Sequence, residues 1–192
     1  MRLTFLGTGT SFGVPQIGCG CEVCRSSDPR DRRTRVGAVV ESDGGTRLLL
    51  DTPPELRVQL VAAHVDRVDA VLFTHDHADH THGIDDIRAF TARSAGPLTM
   101  WASPATAAAL ARKFPYIFDD AMRALPGTFK PEGRLRTLDE GESVRIAVAA
   151  SMASGMLRCV GWGVRKSAFT TSTRAPRSTA SADAGIAFAS VT

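Results

Sequence analysis

The chain has 192 residues, 43% hydrophobic and 22% charged, with 23 Lys and Arg against 20 Asp and Glu. That is the profile of one globular domain and excludes a collagen, a coiled coil or a fully disordered chain. A formal charge of +3 gives no footing for a nucleic-acid or membrane-surface partner. No window approaches the ~20 apolar residues of a membrane span, and Met1 to Leu6 lacks a signal-peptide core, so a soluble, cytoplasmic protein is expected.

In chain order, Leu3 to Leu6 reads as a buried strand running into the glycine-rich loop Gly7-Thr8-Gly9-Thr10, and 11–35 has loop composition. Val36 to Glu41 and Arg47 to Asp51 flank Asp43-Gly44-Gly45, a hairpin signal. Pro53 and Pro54 open a helix with apolar Leu56, Leu60 and Val61, and His64 near its end either faces solvent or caps it. A strand from Ala70 to Thr74 follows, then a histidine-rich loop and a helix from Ile84 to about Arg93. Pro97 to Trp101 is a strand. Ser103-Pro104 caps a helix reaching Lys113. Residues 114–133 form an irregular insertion, and strands Arg134 to Leu138 and Ser143 to Val148 lie around Asp139-Glu140-Gly141.

The densest chemistry is His75-x-His77-x-Asp79-His80 at the carboxyl end of the Ala70 strand. Two imidazoles at i and i+2 of an extended loop point the same way and clasp one cation, while Asp79 and His80 turn toward a second. A water shared by two such ions ionises near neutral pH and becomes a nucleophile that Asp79 could also orient. The competing reading is a solvated polar loop. His82 is read either as a substrate contact or as a loop residue supporting its neighbours.

Three of the four cysteines, Cys19, Cys21 and Cys24, fall within six residues. Their spacing suits metal binding in a reducing compartment better than a disulfide framework, although three reduced thiols without metal is the alternative. A closed structural zinc site wants four ligands, and one is missing locally. Two further signals are discounted. Gly7-x-Gly9-x-x-x-Gly13 has the wrong spacing for a dinucleotide loop and no following helix. Arg30, Arg32, Arg33 and Arg35 could attract a phosphate ester, but a solvated loop is the commoner explanation.

The histidine motif, Asp51 at the end of an earlier strand and the Gly-Thr-Gly loop together resemble the metallo-β-lactamase-fold hydrolases. Gly18-Cys19-Gly20-Cys21-Glu22-Val23-Cys24 followed by the arginine-rich segment looks like the PhnP-type phosphodiesterases, which act on cyclic phosphate esters. The resemblance covers residues 1–148. It implies an α/β fold, an αββα sandwich with two divalent ions, zinc or manganese, at one edge, held by His75, His77, Asp79 and His80. It also implies that Asp51 holds the motif loop, against a strand-end turn carboxylate as the plain alternative, and that Asp85 lies close to the site. Asp86 is read as charge compensation at a helix N-terminus. Family members close the cysteine site with a distant histidine; no histidine follows His82 here, leaving Cys159 as the thiol candidate.

The resemblance further implies downstream histidines and a bridging aspartate; no histidine follows His82, so each ion would be short of at least one ligand. Composition changes at the same point. Residues 149–192 hold five basic and one acidic side chain, and 26 of the 44 are Ala, Ser, Thr or Gly. We therefore expect a metallo-β-lactamase-like domain over 1–148, with the second half truncated or aberrant, and an atypical tail over 149–192. The tail is read as a shifted reading frame or as the end of a shorter, divergent homologue, in which Asp183 would be a weak substitute ligand. The expected activity is hydrolysis of a small cyclic or nucleotide-like phosphodiester. A thioester or lactam hydrolase of the same superfamily and a non-catalytic metal-binding remnant are the alternatives, with oligomeric state, a homodimer included, left open.

Overall fold

The structure is a computed structural model that describes residues 1–93, 96–147 and, for the backbone, 154–158. A six-stranded mixed sheet is its centre: β1 (Arg2–Gly7), β2 (Gly37–Glu41), β3 (Arg47–Leu50), β4 (Ala70–Leu72), β5 (Leu98–Ala102) and β6 (Gly133–Thr137) lie side by side in sequence order. The first three are antiparallel neighbours, and β3 to β6 run parallel. The switch follows from the connections: β2 and β3 are joined by a tight turn with Gly45 at φ 81°, whereas β3 to β4 and β4 to β5 cross over through helices. These are α2 (Leu56–Ala62) and then α3 (Ala78–Thr81) with α4 (Arg88–Thr91); the short α1 (Glu22–Arg25) lies in the loop after β1.

Both faces of the sheet are apolar, as a parallel sheet covered on two sides requires. Leu49, Val71 and Met100, on neighbouring strands of one face, are fully buried against Leu56 and Leu60 of α2, Ile84 and Ile87, and Leu110 of α5 (Pro104–Lys113). Each such side chain contributes about 1.5–3 kcal/mol by the area it removes from water. On the other face Leu48 and Ala70, with Val40, Leu50, Leu72 and Trp101 beside them, pack on Ile146. Ile146 belongs to β7 (Ser143–Ala147), which pairs antiparallel with β8 (Ser154–Arg158) in a second sheet. The turn at Asp139-Glu140-Gly141 thus carries the chain from one sheet to the other. The described residues build helices, sheet and second sheet, the first three layers of an αββα sandwich.

Several sequence readings change. β1 is an edge strand, not a buried one: Leu3 and Phe5 are 36% and 63% exposed. In α2 the buried set is Leu56, Gln59 and Leu60, and Val61 faces solvent, because seven residues present only a narrow inward stripe. The helix expected from Ile84 divides into a 3-10 turn, Ile84–Ile87, and α4. The 114–133 insertion opens with one helical turn, α6 (Pro115–Phe118). The tail contributes β8; Cys159, Asp183 and the shifted-frame reading of 149–192 otherwise lie outside the described residues. No helix among the described residues is long and apolar enough to cross a membrane.

Candidate metal centre

The histidine loop begins where β4 stops and is shaped by the segment that ends β3. Asp51 leaves β3 with φ 60°, a left-handed conformation that Asp tolerates better than most side chains. Its amide N–H donates to the Leu72 carbonyl at 2.9 Å. That pose turns its buried carboxylate under the loop, where it accepts from the Thr74 N–H and the Thr74 hydroxyl, each at 2.8 Å, and from His80 Nδ1 at 2.7 Å. Next along the chain, the Thr52 N–H donates to the His80 carbonyl and the Gly83 N–H donates to the Thr52 carbonyl, both at 2.8 Å. Gly83 is required there, since a Cβ would sit 2.0 Å from the Pro53 carbonyl oxygen. Asp51, Thr52 and Thr81 are all buried, so the loop is held by satisfied polar groups in a dry place.

Hydrogen-bond accounting assigns the tautomers. The single Thr74 hydroxyl hydrogen goes to Asp51, so the 3.0 Å contact between Thr74 Oγ1 and His75 Nδ1 requires His75 Nδ1 to donate. Asp51 likewise fixes the hydrogen of His80 on Nδ1. Both rings therefore present a bare Nε2. The rings cluster: His75 and His77 centroids are 4.5 Å apart, and His75 and His80 4.1 Å. His80 Nε2 lies 3.4 Å from Asp79 Oδ2, which matches the edge of a tetrahedron with ligand bonds of about 2.1 Å. Burial, then repulsion by His80 and His77, lowers the His75 pKa, while the Asp51 hydrogen bond raises that of His80 against the opposing effect of burial.

A second set of contacts comes from the junction of α5 and α6. The Lys113 ammonium donates to the Asp76 carbonyl and carboxylate. Phe114 meets His82 edge-on with centroids 5.6 Å apart, and the Tyr116 hydroxyl donates to Asp85 Oδ1 at 3.1 Å. Asp85 also pairs with Arg88. Burial, with Asp85 beside it, pushes the Tyr116 pKa up to about 12. The Asp85 carboxylate is thus turned to Tyr116 and Arg88. His64 is exposed, with φ 54° just past α2.

Cys19, Cys21 and Cys24 come together in the loop after β1. They are the one group of three His, Cys, Asp or Glu among the described residues whose ligand atoms all lie within 4.8 Å of one another. The four donors of the histidine loop do not gather around one point in this way. The base of the cysteine loop is a pair of 2.8 Å hydrogen bonds exchanged by Val14 and Arg33, and the Gln16 N–H reaches Cys24 Sγ at 3.4 Å. Among these thiols Cys21 is lowered, chiefly by the Cys24 N–H; at Cys24 the Gln16 N–H pulls the pKa down, but burial and the neighbouring thiols leave it raised.

The discounted signals resolve as well. At Gly7 and Gly9 a Cβ would lie 2.1 Å from the Arg35 carbonyl and 2.5 Å from that of Arg33, so these glycines admit a close backbone crossing. In the arginine run, Arg30 pairs with Asp28 and Arg35 with Glu55. Sequence reasoning missed Thr74, Thr52, Lys113 and Tyr116. For Thr74 a hydroxyl directly before the motif was a usable signal; the other three are placed only by folding.

The chain belongs to the beta-lactamase superfamily domain family, whose model matches residues 46–183. It is similar to a solved diphosphatase of the PhnP family, at 34% identity and a TM-score of 0.65 over 81% of this chain and 54% of that one. It is also similar to zinc-bound PqqB from Methylobacterium extorquens, at 25% identity and a TM-score of 0.58 over 84% of this chain and 60% of that one. Among curated proteins, coenzyme PQQ synthesis protein B of Methylorubrum populi is 31% identical over 150 residues, 68% of this chain and 48% of that protein. An octanoyltransferase of Porphyromonas gingivalis is 51% identical over 88 residues, 46% of this chain and 18% of that protein. The chain therefore spans at most about half the length of these two relatives.

Proposed function

We propose that this chain is a metal-dependent hydrolase, a phosphodiesterase acting on a cyclic or nucleotide-like phosphate ester. The observation that carries the reading is the pair of imidazoles locked by Thr74 and Asp51 with Nε2 bare, one of them at a tetrahedral-edge distance from Asp79. His75 and His77 would hold one divalent ion, and Asp79 with His80 the other, zinc or manganese. Such ions supply Lewis acidity and an ionised water near neutral pH. Asp79 is the catalytic carboxylate of this reading and orients the attacking water. Asp51, through His80 and Thr74, keeps the donors aimed. Likeness to the PhnP-family diphosphatase favours a phosphate ester as substrate; zinc in the PqqB relative supports the metal. The three clustered thiols would take one structural zinc.

A second reading is a metal-binding remnant without turnover. It is favoured by the donor number, since the motif gives two protein ligands per ion where catalytic zinc ordinarily has three. Metal analysis of purified protein with turnover of bis(p-nitrophenyl) phosphate separates the two. Roughly two ions at the histidine loop, one at the cysteines, and hydrolysis support the enzyme; metal without hydrolysis supports the remnant. Substituting His77→Ala should abolish hydrolysis, and turnover equal to the parent's would refute the assignment.

A further inference from the structure

At the opposite end of the parallel strands from the histidine loop, a cleft of about 500 Å³ opens where β5 and β6 begin. The five residues of β6 put roughly 13 Å between the two strand ends. The walls of the cleft come from Pro97, from Ile117 of α6, from the segment 120–124 and from the residues around Gly133. The chain presses so close there that a Cβ would come within 2.8 Å of Met100 Cε and 2.9 Å of Phe118. Its volume falls in the range of small-molecule sites.

Three cations, Arg123, Lys130 and Arg134, line this cleft. None of the three is in an ion pair among the described residues, and it is their convergence on one cleft, not the lack of a partner, that sets them apart from other unpaired arginines such as Arg57 and Arg112. Asp120 and Glu132 share the lining, and the apolar part of the wall comes from Ile117 and Met122. Unpaired guanidinium groups grip a phosphate through several charge-assisted hydrogen bonds, the two carboxylates accept from hydroxyl groups, and the aliphatic wall takes a carbon skeleton. We propose that this cleft is a second ligand site, separate from the histidine loop, for a small hydroxylated organic phosphate such as a sugar or nucleoside monophosphate. It stands independently of the hydrolase reading.

Calorimetric titration of the full chain with ribose 5-phosphate tests it, with ribose and inorganic phosphate as separate arms. We expect submillimolar binding that weakens by about tenfold or more in a Lys130→Gln, Arg134→Gln double variant. Both positions lie on the surface, and far-UV circular dichroism checks folding. Binding should persist unchanged in His77→Ala. Undiminished affinity in the double variant, or loss of binding in His77→Ala, overturns the proposal. Equal affinity for inorganic phosphate overturns the organic-ligand assignment, and equal affinity for ribose overturns the role of charge.

Discussion

The histidine loop and the cysteine loop are both candidate metal sites, and they are built in opposite ways. The cysteine loop is held by its own short span and backbone: its three sulfurs come from six consecutive residues closed by the Val14–Arg33 bonds, α1 buries none of its side chains, and Ile17 near its tip is 99% exposed. The histidine loop is organised from outside, by Asp51 and Thr52 at the end of a different strand and by Lys113 to Tyr116 at a helix junction. Both donor sets span six consecutive residues, so the difference lies not in spacing but in whether buried partners from other elements aim the donors. Damage should spread from the histidine loop and stay local in the cysteine loop.

The largest break of that contrast is Asp51→Ala. It strands three half-buried donors and puts alanine at a positive φ, so unfolding free energy should fall by about 2 kcal/mol and metal affinity at the histidine loop by about 10- to 100-fold. Chemical denaturation and zinc competition measure the two. Asp51→Asn, which tolerates the backbone pose, should lose less of each.

Cys24→Ser should remove one equivalent of metal and leave the histidine-loop ions in place, with a stability change under about 1 kcal/mol; loss of all metal would show that the two loops are coupled. Lys113→Met tests how much the helix junction adds. The Lys113 and Asp76 side chains are 39% and 38% exposed, so screening limits the pair to under about 1 kcal/mol, and metal affinity should change by less than about fivefold.

The smallest effect is a control outside both loops. Hydrogen bonding from Arg2, with Arg47 nearby, lowers the Glu41 pKa. A carboxylate lowered in the folded state stabilises above its unfolded pKa, and that stability is lost as pH falls through the folded value. Glu41→Gln should therefore be less stable at pH 7 by under about 1 kcal/mol, a deficit that disappears at acid pH, with metal content unchanged throughout. A loss of metal in this variant would mean that the sheet edge, too, helps to aim the donors.

Much of the first half was legible because its signals are local. Asp43-Gly44-Gly45 marks the β2–β3 hairpin, Ser103-Pro104 caps α5, with the Ser103 hydroxyl accepting from the Thr106 N–H, and the motif histidines sit where β4 ends. β1 misled because Leu3 and Phe5 are apolar yet stand at a sheet edge, and pattern alone does not say how many neighbours a strand has. Asp51 was noticed only through resemblance, since a single aspartate after a strand reads equally well as a turn.

The amino-acid order by itself determined which donors exist and which lie within one turn of each other: the three thiols, and the histidines with Asp79. Backbone spacing is enough for that, because neighbours in sequence cannot be far apart in space. Only the tertiary structure decided which nitrogen His75 and His80 present and what holds the loop rigid. Those depend on groups 20 to 30 residues distant or more meeting across strands, and such meetings are settled by burial of the two sheet faces rather than by any local preference.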